Sequence, residues 1–179
     1  MQVGIDARLV YYTRAGIGEY TLCLTQALAD AYPDQCFVLL QDKRQPQKLI
    51  RADNVEVAHA RVPSHHRAEQ LLLPWVVNRL NVNVFHSPDF IPPLRYEGKV
   101  VITIHDLAFL IYPHFMTKDA ARYYGQIDRA VRRADHIIAV SQSTKNDLVR
   151  MLGASEDKIS VIYEAADPRM APMNRDDAL

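Results

Sequence analysis

The stretch Lys99-Val-Val-Ile-Thr-Ile-His-Asp-Leu107 decides the fold. Its first six residues, KVVITI, form an apolar run rich in β-branched side chains, and His105-Asp106 ends it. A run without polar alternation reads as a strand covered on both faces, as in a parallel sheet flanked by helices. Similar runs lie at residues 3–6, 36–40 (CFVLL), 82–86, 136–140 (HIIAV) and 158–163, and residues 55–62 alternate like a half-covered strand. Helical spacing separates them. In residues 16–31, Ile17, Tyr20, Leu24, Leu28 and Ala31 recur on one face, and Pro33 and Asp34 stop the helix. Residues 67–80 are apolar and helix-like, with Pro74 either kinking the helix or opening a new one. Residues 118–134 read as one amphipathic helix with Tyr124, Ile127, Val131 and Ala134 on one face. Ser143 is the candidate N-cap of a helix running to Leu152, with Gly153 just past its end. Residues 41–54 read as a loop or short helix, and 87–98 and 105–117 as long loops. Strands alternating with helices predict an α/β fold, a parallel sheet with helices on both faces.

Composition agrees with a globular domain. In 179 residues, 49% are hydrophobic and 23% charged, too apolar and too balanced for a disordered chain. Lys and Arg number 21, as do Asp and Glu, so there is no basic excess of the kind that nucleic-acid binders carry. The two cysteines, Cys23 and Cys36, lack metal-ligand spacing and read as buried thiols. The start, Met-Gln-Val-Gly-Ile-Asp, turns polar at once and is unlike a signal peptide. No run approaches the length of a membrane span. The chain is therefore expected in the cytoplasm, and peripheral contact with the inner face of a membrane stays open.

Ligands in an open parallel sheet bind beyond the carboxyl ends of the strands. The polar residues at those ends are Asp6 and Arg8, Gln41 and Asp42, His86, Ser87 and Asp89, His105 and Asp106, Ser141 and Ser143, and Glu164. Their convergence on one edge is the physical argument for a site. His105 follows the strongest strand directly and is the candidate catalytic residue; the alternative is a core histidine bonded to backbone. Asp106 either orients that imidazole or caps the next segment, and Ser141 is placed to face a ligand. Gly16-Ile17-Gly18 precedes a helix, where bare N–H groups and the helix dipole favour a phosphate. Thr21 stands where a third dinucleotide glycine would be, and the loop is long, so a nicotinamide cofactor is not expected. His65-His66 lacks partners at metal-ligand spacing. No nucleophile elbow and no phosphate-binding P-loop occurs. Tyr11, Tyr12, Phe109, Tyr112 and Phe115 lie in loops at the same edge, where they either stack on sugar rings or an acyl chain or pack beneath the loops.

Four segments carry a resemblance: GIDARLVYYTRAGIGEYTLCLTQAL, VNVFHSPDFIPP, KVVITIHDLAFLIYP and ADHIIAVSQSTKNDLVRMLGASEDKISVIYEAAD. In this order they resemble the N-terminal, Rossmann-like half of family 4 glycosyltransferases of the GT-B fold, closest in style to mannosyltransferase-like members that build surface polysaccharides. The resemblance covers nearly the whole chain. It implies transfer of a sugar from a nucleotide-sugar to a glycan or lipid-linked acceptor, with retention of anomeric configuration and no metal or other cofactor. The N-terminal half of such an enzyme holds the acceptor. By similarity, Gly16, Ile17 and Gly18 would lie by the donor diphosphate or the acceptor, His105 would contact the donor sugar, and Asp106 and Ser141 would line the cleft.

The resemblance also implies a second, nucleotide-sugar-binding domain. Its E-x7-E motif has no counterpart here, and Glu164 stands at the hinge. Residues 1–164 are thus expected to form the N-terminal domain and 165–179 a linker, and the chain alone is expected to be inactive. Two rivals remain: a stand-alone module that binds a glycan or lipid carrier, and a sugar-nucleotide epimerase of related architecture.

Overall fold

The computed structural model describes residues 1–14 and 16–166. Most of the expected linker, residues 167–179, therefore lies outside the described residues. Seven strands form one sheet: β1 (Gln2–Asp6), β2 (Cys36–Asp42), β3 (Val55–Ala60), β4 (Val84–Ser87), β5 (Lys99–Ile104), β6 (His136–Ala139) and β7 (Ile159–Val161). Their order is β3-β2-β1-β4-β5-β6-β7, and every neighbouring pair is parallel. The chain winds outward from β1 to β3, then crosses back to β4 and winds the other way. Strand order thus reverses between β1 and β4, whose registers match Ile5 to His86.

Alternate residues of β2 show why its run is continuous. Phe37 and Leu39 join one buried cluster with Ile5 and Ala29, while Val38 and Leu40 join the other. Helix α1 (Ile17–Ala31) supplies Ala29 to the first cluster. Helices α2 (Glu69–Asn78), α5 (Ile127–Arg133) and α6 (Gln142–Leu152) supply Leu73, Val77, Ala130, Val131 and Leu148 to the second. Apolar burial of this kind contributes about 25 cal/mol per Å² and draws apolar side chains from both faces of the strands.

Several boundaries differ from those expected. The apolar run at 36–40 extends as a strand through Gln41 and Asp42, both buried. Pro74 sits inside a single helix, as the first of its two readings has it, and does not open a new one. It removes one backbone donor, but Leu73, Pro74 and Val77 are buried together, and that packing outweighs the lost bond. The expected helix at 118–134 is two, α4 (Lys118–Tyr124) and α5, parted at Gly125-Gln126. Both turn apolar residues to the same core, so the periodicity runs across the break. The loop at 105–117 contains a one-turn helix, α3 (Ala108–Ile111), and a 3-10 turn, Pro113–Phe115. Cys23 is exposed rather than buried, and Cys36 is half-buried.

The cap of α6 is also reassigned. Ser141, not Ser143, is its N-cap: Ser141 is extended, and its Oγ accepts from the Thr144 N–H at 3.0 Å. The expected terminator Gly153 is left-handed, with φ 60°. Ser141→Ala should therefore cost about 1 kcal/mol in thermal or urea unfolding, whereas Ser143→Ala should stay within about 0.5 kcal/mol of the parent. The reverse ranking would overturn the assignment.

Candidate functional site

The carboxyl edge of the sheet offers two places, and one is filled. At the reversal between β1 and β4, Arg8 turns inward and is 1% exposed. Its guanidinium donates to Asp6 Oδ1 at 2.9 Å and Oδ2 at 2.6 Å, to Glu69 Oε1 at 2.5 Å, and to the Val62 carbonyl at 3.1 Å. Burial alone would lower the Arg8 pKa, but the flanking Asp6 and Glu69 carboxylates raise it, so the charge is held. Burial pushes Glu69 up, and Arg8 opposes that shift.

His65 packs beside this cluster. Its ring stacks on Tyr123 with centroids 3.7 Å apart, and Nε2 lies 2.5 Å from Asp89 Oδ2. Its backbone takes a positive φ of 61°, and its N–H donates to Glu69 Oε2 at 2.9 Å. Burial would lower the His65 pKa, but the bond to Asp89 makes the net shift upward. What remains between Asp6, Arg8, Ser87, Asp89 and Tyr123 is a cavity of about 10 Å³, the size of one water molecule.

The second place is open. A cleft of about 1440 Å³ runs along α1, from Gly16 to Asp30, and reaches the loop after β5. Gly16, Ile17, His105 and Asp106 all border it. Tyr20, Phe90, Phe109, Tyr124 and Glu164 border it too. Phe109 stacks on Tyr124 at 4.7 Å, and Phe90 packs edge-on against both, which gives the cleft an aromatic wall. Phe115, on the rim, is 79% exposed.

His105 sits at the floor, at the end of β5. Nε2 lies 3.0 Å from the Pro88 carbonyl, and Nδ1 lies 2.9 Å from Glu164 Oε1. A carbonyl only accepts, so Nε2 carries a proton and donates. Tyr20 meets the ring edge-on at 5.0 Å. Beneath it, Tyr20 Oη, Thr103 Oγ1 and His86 Nε2 form a chain with spacings of 3.2 and 2.8 Å. His86 is the core histidine of the pair: burial, with His105 nearby, pushes its pKa down to about 4.

The remaining expected site residues act differently. Gly18 is buried under the loop, where any Cβ would collide with the Thr13 carbonyl, so its glycine serves a close backbone approach. Gly16 has φ 46° and open space where a Cβ would stand. Asp106 accepts the N–H of Ala108, the first residue of α3, at 2.9 Å, and Glu164 takes the place beside the imidazole. Ser141 is engaged in its cap and is absent from the cleft lining. It acts one step back: its Oγ is 2.9 Å from Thr144 Oγ1, which donates to the His105 carbonyl at 3.2 Å. Among the described residues no group of three or more His, Cys, Asp or Glu could hold a metal ion.

Arg8, Glu69 and Tyr20 were missed as a set, although Arg8 and Tyr20 each stood in suggestive segments. Glu69 has no signal of its own, because its partner lies 61 residues earlier.

The buried His86 generates a pH prediction. Unfolded, its ring titrates near the ordinary 6.5; folded, it stays neutral down to about 4. Stability present above pH 6.5 is therefore lost as pH falls toward 4, by at most about 3 kcal/mol. Urea unfolding should show a steeper loss over that window in the parent than in His86→Gln, and equal slopes would contradict the burial account.

Residues 14–169 match the family model described as Glycosyltransferase Family 4. The O-antigen chain mannosyltransferase RfbU of Salmonella typhimurium is 29% identical over 107 residues, 59% of this chain and 28% of that protein. A 3-phosphoshikimate 1-carboxyvinyltransferase of Thermoplasma acidophilum is 30% identical over 99 residues, 55% of this chain but 22% of its own length. The two names differ in chemistry, and neither match spans as much of this chain as the family model does. A glycosyltransferase from Rickettsia africae shares the fold, with a TM-score of 0.55 at 14% identity over 93% of this chain and 43% of that one. The chain thus spans less than half the length of each of these relatives. On the match over residues 14–169, the chain belongs to Glycosyltransferase Family 4.

Proposed function

We propose that this chain is the acceptor-holding half of a retaining glycosyltransferase that moves a sugar from a nucleotide-sugar to a glycan or lipid-linked acceptor. The observation that carries the reading is the open cleft, which has a histidine at its floor and aromatic rings along one wall. Aromatic faces suit the apolar faces of sugar rings, and the imidazole at the floor suits their hydroxyls. The mannosyltransferase relative favours a hexose such as mannose and a role in surface-polysaccharide synthesis.

In this reading most contacts to the nucleotide come from a second domain across the cleft. This chain contributes the start of α1, at Gly16 and Ile17, whose dipole favours the diphosphate as negative charge develops on it. His105 orients the sugar. Retention without a metal or other cofactor follows the family pattern and belongs to the same proposal. No helix among the described residues is long and apolar enough to cross a membrane. The exposed Ile111, Tyr112 and Phe115 at the rim favour peripheral contact with the cytoplasmic face of a membrane, near a lipid-linked acceptor.

In the complete transferase, His105→Ala should lower transfer by about two orders of magnitude or more. In the 179-residue chain the same change should cost only about 1–2 kcal/mol, for two hydrogen bonds. Radiolabelled sugar transfer and thermal melting measure the two effects. Full transfer by His105→Ala would contradict the reading, and acceptor binding by a complete protein that turns over no nucleotide-sugar would favour a binding module.

A further inference from the structure

His105 has no nitrogen to spare. The Pro88 carbonyl takes Nε2, and that partner is backbone, held in a loop whose neighbours Ser87 and Asp89 are buried. Tyr20 and Phe90 flank the ring, and the side chain is 13% exposed. Nδ1 is therefore the nitrogen whose partner can change. That partner, Glu164, follows β7 on the segment that leaves the sheet; its side chain is 48% exposed and borders the cleft. The Asp106 carboxylate, next in sequence to the histidine, is turned to the N–H of Ala108 and leaves the position to Glu164.

We propose that Glu164 is a positioning residue for His105: it holds the imidazole with its Nδ1 edge toward the cleft, ready to be shared with a hydroxyl of the bound sugar. The proposal rests on reading the cleft as a sugar site. Glu164 lies 59 residues from His105 in sequence, so the contact ties the exit of the last strand to the end of β5. A displacement of the exit segment then turns the ring as well. The Glu164 carboxylate lies against Nδ1 as the Pro88 carbonyl lies against Nε2, and the two contacts set the ring plane at both ends. The main chain of His105 is fixed separately by Thr144, so losing Glu164 frees the ring without moving β5.

Two measurements test this. The first is nitrogen-15 NMR of the histidine rings in the 179-residue chain. The Nδ1 resonance of His105 should move in Glu164→Gln, while those of His86 and His136, which bond Thr103 and Ser160, stay in place. An unmoved His105 resonance overturns the contact itself.

The second is steady-state kinetics of the complete transferase. Glu164→Ala should lower kcat about tenfold and leave KM for the nucleotide-sugar within about twofold, with Glu164→Gln, which keeps the shape and loses the charge, in between. An unchanged kcat in Glu164→Ala, alongside a large loss in His105→Ala, overturns the positioning role and leaves the sugar-site reading standing. Unchanged transfer in both variants removes that reading. Equal losses in Glu164→Ala and Glu164→Gln that track melting temperature overturn the proposal in favour of a purely structural residue.

Discussion

A guanidinium out of water must be paired, and the pairing of Arg8 shapes the whole binding edge of this protein. Asp6, at the end of β1, and Glu69, at the start of α2, meet it where strand order reverses. Removing Arg8 would leave both carboxylates without their cation in the interior, so the cluster depends on it. The cluster fixes where α2 begins, anchors His65 through Glu69, and fills the crevice that a doubly wound sheet ordinarily offers to a ligand. What stays accessible is one strand further along, at the end of β5. The location of the cleft follows from what closes its neighbour.

The cleft differs from the closed crevice in chemistry as well as in size. The crevice is ionic and tight; the cleft is lined by rings and by residues along a 15-residue helix, from Ile17 to Asp30. Polar groups near the floor are held by partners behind them. Tyr20 is backed by Thr103 and His86, and His105 by Pro88, Glu164 and Thr144. Side chains held at both ends present a defined geometry to a ligand, as positioning a sugar for transfer requires.

Strand cores were legible in the sequence because the interiors of KVVITI, CFVLL and HIIAV are apolar but for Thr103, as a strand buried on both faces requires. His105, Gly16 and Ile17 were legible because position relative to a strand or helix end is a local property. The break at Gly125 was not, because two helices facing one core preserve the spacing of one. Ser141 and Ser143 both have the chemistry of a cap, and only the extended backbone of Ser141 decides between them. Arg8 with Glu69 and His105 with Glu164 are contacts across 61 and 59 residues, and no local pattern announces them. Sequence left Asp106 either beside the imidazole or turned to the next segment, and the turn into α3 carries its carboxylate to Ala108.

The account depends on ligand binding at the β5 cleft and not at the β1–β4 crevice. The most direct measurement is amide NMR of the labelled chain during titration with a mannose-containing oligosaccharide. Shifts should concentrate at Gly16, Ile17, Tyr20, His105 and Phe109, with Ser64, Ser87 and Asp89 unmoved. Shifts concentrated at Ser64, Ser87 and Asp89 would show that the ionic cluster opens to admit the ligand, and would contradict the account.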